Sequence, residues 1–254
     1  MKTIAVINRR GGVGKTVTAH NLGAGLMKKG YRVLFIDLDS QTNLTFDLKG
    51  KETDLNIFNV LKDNCTIEES IQHTSEGCLV PATQGLSSAD IELNKKLSRE
   101  RILKKALKPI ADKNMFDYVI IDTPPALNIL TYNALVSSDY AIIPAQAEIH
   151  SIQGIVQLYE TGIRPVQEDL NPGLVIKGIL ITRYNGRAIL SSDMKTNLER
   201  LASQLDTQLF TTPIRECIAI KEAQASQTNI FDYAPKSHAA EDYQALINEL
   251  IERV

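Results

Sequence analysis

The stretch Thr3-Ile-Ala-Val-Ile-Asn-Arg-Arg-Gly-Gly-Val-Gly-Lys-Thr16 decides the fold of this chain. Its apolar beginning, residues 3–7, predicts a buried parallel strand, and residues 15–29 carry apolar side chains at helical spacing. The glycines between them allow consecutive backbone N–H groups to turn inward around a phosphate, which larger side chains would block. Strand, glycine-rich loop and helix in this order predict a phosphate-binding loop.

Each position of this loop has a chemical task. Lys15 is placed to reach terminal phosphates, the Thr16 hydroxyl is placed to bind Mg²⁺, and the helix that follows presents its positive end to a nucleotide. The pattern departs from G-x-x-x-x-G-K-T because Arg9 occupies the first glycine position. An ordinary helix after a glycine-rich turn is the alternative, and Gly-Lys-Thr at the junction argues against it. The predicted nucleotide contacts are Gly11, Gly12, Val13, Gly14, Lys15, Thr16 and Val17.

Composition limits the class of protein. With 254 residues the chain can bury one sizeable core, and without a long linker we expect a single domain over residues 1–254. The net charge of −2 gives no overall attraction to nucleic acid, so any DNA contact must come from a local patch. Three scattered cysteines favour neither a disulfide framework nor a metal cluster. The apolar runs are shorter than the roughly 20 residues of a membrane span, and no secretory signal is evident, so we expect a cytoplasmic protein.

Strand-like and helical segments alternate along the chain. This alternation predicts an α/β fold with a mostly parallel, doubly wound sheet and helices on both faces, as in P-loop NTPases. Ligands of such sheets bind beyond the C-terminal ends of the strands. The predicted strands are residues 3–7, 33–37, 118–122, 140–144, 175–181 and 208–210, and the predicted helices are residues 15–29, 88–112, 127–137, 150–168, 191–204 and 238–252.

Acidic residues end two of the predicted strands. Asp37 and Asp39 follow one apolar run, and Asp122 follows another. A buried carboxylate is costly unless a cation compensates it, and Mg²⁺ together with Lys15 would do so. We therefore interpret Asp122 as the carboxylate that holds Mg²⁺ directly or through water. Each acid alone could equally serve as a turn or a helix cap, but their combination with the glycine loop favours a nucleotide site.

With these residues in place, the chain resembles the ParA/Soj family of partition ATPases. This family lies within the deviant Walker A, or SIMIBI, class of P-loop proteins that includes MinD. The resemblance covers nearly the whole chain, and its motifs are specific as a set, although each one after the first is weak alone. The motifs are RGGVGKT at 10–16, DLDSQTN at 37–43, DTPP at 122–125, IPAQAE at 143–148, TRYN at 182–185, IKEA at 220–223 and YAPKSHAA at 233–240.

The resemblance implies ATP and Mg²⁺ as cofactors and a sandwich homodimer that encloses the nucleotide. In the family, a lysine ahead of the glycines reaches the partner's phosphates; here Arg10 stands at that position. We expect Arg10 to act in trans, somewhat like an arginine finger, although Arg and Lys are not equivalent at a close phosphate site. The alternative is that Arg10 only lies in the solvated rim and that dimerisation is weakened.

The resemblance also implies roles for the other site residues. Asp39 matches the residue that positions or activates the attacking water, and Asp37 is expected to support Mg²⁺ and the loop between the two acids. Thr16 and Asp122 match the metal-site residues. Arg183 and the loop around Pro213 match the region that surrounds adenine, and because the chain lacks tryptophan, a guanidinium plane is a reasonable stacking partner.

In the family, the ATP-bound dimer binds DNA without sequence preference, and a ParB-like centromere-binding partner stimulates hydrolysis and release. The expected location is therefore the nucleoid. Such binding needs basic side chains on one face of the dimer. The predicted DNA-binding residues are Arg187, Lys195, Arg200 and Lys221. A second basic segment, residues 95–108, is interpreted as a solvated amphipathic face, with DNA contact as the alternative.

Two other functions use the same motifs. A MinD-like membrane ATPase would need a basic amphipathic terminal helix, whereas residues 241–254 are mainly acidic, so we expect no stable membrane association. A nucleotide-switched scaffold with little turnover would follow if Arg10 had abolished hydrolysis. Retention of Lys15, Thr16, Asp39 and Asp122 argues against a scaffold, and we expect a slow, partner-stimulated ATPase. Because nothing precedes the first strand, we do not expect an appended helix-turn-helix domain.

Overall fold

One seven-stranded sheet organises the fold, in the strand order β3-β4-β2-β5-β1-β6-β7. The computed structural model describes residues 1–186 and 189–253. Neighbouring strands are parallel except β3 and β4, which pair antiparallel. The strands are β1 (Lys2–Val6), β2 (Val33–Asp37), β3 (Gln72–Thr74), β4 (Gly77–Val80), β5 (Tyr118–Asp122), β6 (Tyr140–Gln146) and β7 (Val175–Thr182).

Helices connect the strands and cover both faces of the sheet. They are α1 (Lys15–Lys28), α2 (Asn43–Asp47), α3 (Ile57–Leu61), α4 (Ala89–Glu92), α5 (Ile102–Asp112), α6 (Ile129–Ser137), α7 (Ile149–Leu158), α8 (Ile189–Gln204), α9 (Ile218–Ala225), α10 (Ile230–Tyr233) and α11 (His238–Arg253). Short 3₁₀ segments span Gln84–Ser88 and Arg99–Arg101, and two π-helical turns, Tyr159–Ile163 and Val166–Leu170, continue the chain after α7.

Alternate residues of each strand enter the cores on opposite faces. In β7, Ile179 and Ile181 pack into the cluster under α7 and α8, whereas Leu180 packs on the other face against α1 and α11. Helices α3 and α5 cover the same face as α8, over β2 and β5. The predicted doubly wound α/β sheet is therefore confirmed. No helix within residues 1–186 and 189–253 combines the length and the apolar character that crossing a bilayer requires.

Several predicted elements need correction. Residues 208–210 do not form a strand of the sheet: only Leu209 bridges to Ile179. The predicted helix over 88–112 is interrupted by an irregular segment in which Ser98 adopts a left-handed φ of 51°. The predicted helix over 150–168 changes to π-helical turns after Leu158. The short strands β3 and β4 were absent from the sequence prediction because they are brief and partly polar.

A buried polar cluster fastens α1 to the β3–β4 turn and to α10. The carboxylate of Glu76 accepts hydrogen bonds from the Asn229 amide at 3.0 Å and from Lys49 at 3.3 Å. The Nε2 atom of His20 lies 3.6 Å from the same carboxylate, and both side chains are almost fully buried. The interaction with His20, helped by Asn229 and Lys49, lowers the pKa of Glu76 to about 2.

Glu76→Gln is expected to destabilise the protein by about 1–3 kcal/mol at neutral pH, because the charged acceptor of the hydrogen bonds from Asn229 and Lys49 is lost. Since folding lowers the pKa of Glu76 from 4.5 to about 2, its contribution is present above pH 4.5 and is lost as the pH falls toward 2. Urea unfolding across this pH window should show the gap from wild type closing as the pH falls. Exposed Glu52→Gln is the control, and a gap independent of pH would contradict the assignment.

Candidate functional site

The glycine-rich loop lies between β1 and α1 at the C-terminal edge of the sheet. Gly12 and Gly14 have φ angles of +73° and +86°, a left-handed region that other residues rarely adopt. Helix α1 begins directly after Gly14, at Lys15, so its first N–H groups point toward the loop. The loop therefore has the backbone geometry of an anion site at a helix N-terminus.

Side chains from two neighbouring strands hold the loop from outside. The Gln146 amide at the end of β6 donates to the Gly12 carbonyl at 3.0 Å. The Thr182 hydroxyl at the end of β7 donates to the Val13 carbonyl at 2.8 Å. These two contacts occupy carbonyl oxygens of the loop and do not use its N–H groups. Sequence reasoning missed both roles.

Lys15 lies inside the site. Its side chain is only 7% exposed, and its ammonium donates to the Arg10 carbonyl at 3.2 Å. Burial lowers the pKa of Lys15, while the negative charges of Asp122 and Asp39 oppose that shift. The structure thus brings together a buried cation and two carboxylates that lie far apart in sequence.

Thr16 and Asp122 form the most direct side-chain contact of the site. The Thr16 hydroxyl donates to one carboxylate oxygen of Asp122 at 2.6 Å. Asp122 is completely buried, and its other oxygen, Oδ1, has no hydrogen-bond partner. Burial and the nearby charge of Asp37 raise the pKa of Asp122 well above its ordinary value. A buried, half-satisfied carboxylate beside a threonine hydroxyl calls for a cation.

Asp37 lies beside Asp122 but has different contacts. The two residues are register partners on β2 and β5. The Asp37 carboxylate accepts from the Asp39 N–H at 3.0 Å and from both the N–H and the hydroxyl of Thr45 at 2.8 Å each. Burial, partly offset by these hydrogen bonds, raises the pKa of Asp37 to about 6. These contacts correspond to the loop-supporting part of its predicted role, and its predicted Mg²⁺ contact stays a prediction.

Asp39 follows the end of β2 and is buried, with 8% of its surface exposed. Its backbone N–H is fixed by Asp37, and its Oδ1 accepts the N–H of Gln41 at 3.0 Å. Two backbone contacts therefore hold this carboxylate close to Lys15. This placement suits a residue that orients a water molecule, which stays a prediction.

The donor set fits magnesium in the way that nucleotide enzymes bind it. The Thr16 hydroxyl and the unpartnered Asp122 oxygen are hard oxygen ligands. Throughout residues 1–186 and 189–253, no group of three or more His, Cys, Asp and Glu side chains has a metal-binding arrangement. Mg²⁺ commonly takes one or two protein ligands and completes its shell with phosphates and water. A site of this kind binds the metal together with a phosphorylated ligand.

Arg10 contacts a residue of its own chain. Its guanidinium lies 2.5 Å from the carboxylate of Glu148, which ends the segment after β6. Both side chains are partly exposed, at 38% for Arg10 and 46% for Glu148. The contact directs the Arg10 guanidinium toward Glu148, at the end of the segment after β6, and the sequence motif at 143–148 did not reveal it.

The residues predicted around a base are partly brought together. A cavity of about 60 Å³ lies between the start of α1 and α9, and its walls include Gly14, Val17, Arg183 and Ile214. Pro213 does not line this cavity, but it precedes Ile214, whose N–H donates to the Ile181 carbonyl at 2.8 Å. Arg183 has a left-handed φ of 49° and an exposed side chain.

The four predicted DNA-binding residues do not share one helix face. Lys195 and Arg200 belong to α8, which packs under β6 and β7, whereas Lys221 belongs to α9 on the opposite face of the sheet. Lys221 also lines the cavity beside Val17. Arg187 lies outside the described residues.

Comparison with known proteins agrees with this geometry. The model of the AAA domain family AAA_31 matches residues 1–176. The chain is 38% identical over 253 residues to the sporulation initiation inhibitor protein Soj of Bacillus subtilis, covering 98% of each chain. It is 35% identical over 255 residues to the chromosome-partitioning ATPase Soj of Thermus thermophilus, covering 100% of this chain and 97% of the relative.

A solved structure shares the whole fold. The structure of cobyrinic acid a,c-diamide synthase from Mycobacterium smegmatis, with a bound ATP analogue and magnesium, superposes with a TM-score of 0.85 and 32% identity. The match covers 99% of this chain and 95% of that chain. A similar fold therefore binds an ATP analogue together with magnesium in that protein.

Proposed function

We propose that this chain, which belongs to the ParA/Soj family of partition ATPases, segregates DNA by an ATP-driven cycle of dimerisation and DNA binding. Residues 1–254 act as a single P-loop domain. The Mg-ATP-bound homodimer binds DNA without sequence preference on the nucleoid, in the cytoplasm. A ParB-like centromere-binding partner accelerates an otherwise slow hydrolysis and releases the dimer.

One observation carries the proposal: Lys15, Thr16 and Asp122 converge at the edge of the sheet, with an Asp122 oxygen left without a protein partner. Lys15 would bind the terminal phosphates, and the loop N–H groups would bind the bridging oxygens. Thr16 and Asp122 would hold Mg²⁺, which neutralises charge on the phosphates during transfer. Asp39 would orient the attacking water at the γ-phosphate.

The cellular role is supported by the curated relatives. Two Soj proteins match nearly the full length of this chain, whereas the mycobacterial structure has a synthase name at lower identity.

For the membrane alternative, helix α11 offers no free apolar face, because Tyr243, Leu246 and Leu250 are buried in the core against α1 and the sheet. We therefore favour DNA over lipid as the surface that the dimer binds.

Binding of the purified protein to a random-sequence DNA duplex should require Mg-ATP and should be weak with ADP or without nucleotide. The physical reason is that dimerisation doubles the number of basic side chains that face one duplex. Fluorescence anisotropy over a salt series measures both the nucleotide dependence and the salt slope.

Asp39→Ala serves as the matched variant of this experiment. It should keep ATP and DNA binding but reduce hydrolysis by about 100-fold or more, because the water loses its positioning carboxylate. Two results would overturn the proposal. One is DNA binding that is equal in all nucleotide states, and the other is ATP-dependent sedimentation of the protein with anionic vesicles and not with DNA.

A further inference from the structure

Helix α5 carries an uninterrupted row of exposed cations. Arg101 directly precedes the helix, and Lys104, Lys105 and Lys108 follow at helical spacing i+3, i+4 and i+7. Residues with this spacing lie along one side of a helix. All four are exposed, and none forms a salt bridge within the described chain. We name these four residues the α5 stripe.

Helix α5, which carries the stripe, is held against the core by its inner side. Leu103, Leu107 and Ile110 on the inner side of α5 are buried in the core over β2 and β5. The Leu103 N–H donates to the Asn133 side chain at 2.9 Å, which anchors the first turn. The basic side chains therefore project from a helix whose apolar face is already used, unlike a helix that inserts into a lipid surface.

Four carboxylates near the stripe form contacts with residues outside it. Asp63, Glu68 and Glu69 line a cavity with Lys105. Asp63 pairs with Lys96 and Glu68 pairs with Lys113, while Glu69 accepts hydrogen bonds from Thr66. Glu100 pairs with Arg99, and Asp112 closes the helix one turn after Lys108. Asp112, at i+4 from Lys108, offsets part of the charge, and the four cations of the stripe still leave this side of α5 with a net positive charge.

Helix α8, which carries two of the residues predicted from the sequence to bind DNA, differs in this respect. Its charges alternate in sign along Asp193, Lys195, Glu199 and Arg200, and Lys195 is partly buried. A polyanion such as DNA is attracted only weakly to a helix face whose net charge is close to zero. The stripe has four cations and no acid between residues 101 and 111.

We infer that the α5 stripe is a DNA-binding surface of this protein, an inference that rests on the proposed function. Arg101 and Lys108 are about 10 Å apart along the helix axis, at 1.5 Å per residue. Along the duplex axis, that length covers about three steps of 3.4 Å between phosphates of one DNA strand. Such a contact depends on the charge of the phosphates and not on the bases, so it is suited to binding without sequence preference. Leu97, exposed beside the stripe, is a single apolar residue and does not form an apolar face.

The triple variant Lys104→Gln, Lys105→Gln, Lys108→Gln should lower the affinity for a random duplex under Mg-ATP by about 10- to 100-fold, and it should reduce the salt slope by about 2–3 for each protomer in contact. Basal ATP hydrolysis without DNA should stay at the wild-type rate, since the stripe lies outside the nucleotide site. The control triple Lys28→Gln, Lys29→Gln, Lys51→Gln removes the same charge from other exposed positions and should bind DNA like wild type.

Each result decides the inference. Wild-type affinity and slope in the stripe variant would overturn it, and so would an equal loss in both triples, which would report net charge alone. A loss of DNA affinity found only in the double variant Lys195→Gln, Arg200→Gln would assign the DNA-binding surface to α8 instead. Failure of the proposed function is distinct, because the wild-type protein itself would then bind no DNA or would bind it equally in all nucleotide states, whereas the inference is decided by comparing the variants with wild type.

Discussion

Asp122→Asn is expected to abolish Mg-dependent ATP hydrolysis while leaving the nucleotide-free protein at least as stable as wild type. The carboxylate is fully buried, and one of its oxygens has no partner. Asparagine retains an oxygen that can accept from the Thr16 hydroxyl, and it removes a charge whose burial is unfavourable. Turnover should fall by about 100-fold or more, because the metal loses its carboxylate ligand.

Asp37→Asn is the matched control, since Asp37 is the register partner of Asp122 on the neighbouring strand. Its carboxylate accepts three hydrogen bonds from the protein, so an amide NH₂ at either end would face a donor. We expect Asp37→Asn to lose about 1–3 kcal/mol of unfolding free energy.

The contrast between the two variants is measured by urea unfolding without nucleotide, by the thermal shift on adding Mg-ATP and by phosphate release. Asp122→Asn should show no Mg-dependent thermal shift. An Asp122→Asn protein that unfolds as readily as Asp37→Asn, or that still hydrolyses Mg-ATP at the wild-type rate, would contradict the role of Asp122 as the metal carboxylate.

The sequence predicted the centre of the sheet well because burial leaves a continuous apolar signal. The predicted strands at 33–37 and 118–122 coincide with β2 and β5, each an apolar run ended by an aspartate. The edge hairpin of β3 and β4 has no such signal, since Gln72-His-Thr74 is polar and partly exposed. The interruption of the predicted helix 88–112 at Ser98 was not predictable from the sequence either, because a left-handed serine has no sequence signature.

The site was predictable where chemistry requires a residue type, and it was not predictable where contacts depend on strand order. Lys15, Thr16 and Asp122 stand out because cations, hydroxyls and strand-end acids suit phosphate and Mg²⁺. Gln146 and Thr182 are ordinary polar residues, and their contacts with the loop arise only because β6 and β7 follow β1 in the sheet. The sequence motifs did not specify that order.

Arg10→Ala is expected to reduce ATP turnover by about 100- to 1,000-fold and to weaken ATP-dependent dimerisation. We propose that Arg10 crosses to the phosphates bound by the partner subunit, where a guanidinium stabilises the charge of the transition state. In the single chain, Arg10 instead pairs with Glu148 at 2.5 Å. Dimerisation would therefore exchange a partly solvated contact within one chain for a desolvated contact between chains.

Glu148→Gln separates this role from the alternative that Arg10 merely lies in the rim and pairs with Glu148. Exposed ion pairs of this kind contribute at most about 1 kcal/mol, so their loss alone cannot explain a 100-fold effect. If Arg10 acts in trans, Glu148→Gln should retain turnover, and it should dimerise as well as wild type or better, because the guanidinium is released. If the pair itself matters, both variants should lose activity equally.

Mixing Arg10→Ala with Asp39→Ala protomers decides between these roles. A trans arginine from the Asp39→Ala protomer can restore hydrolysis in the Arg10→Ala site, and turnover that stays at the Arg10→Ala level in mixed dimers would contradict the assignment.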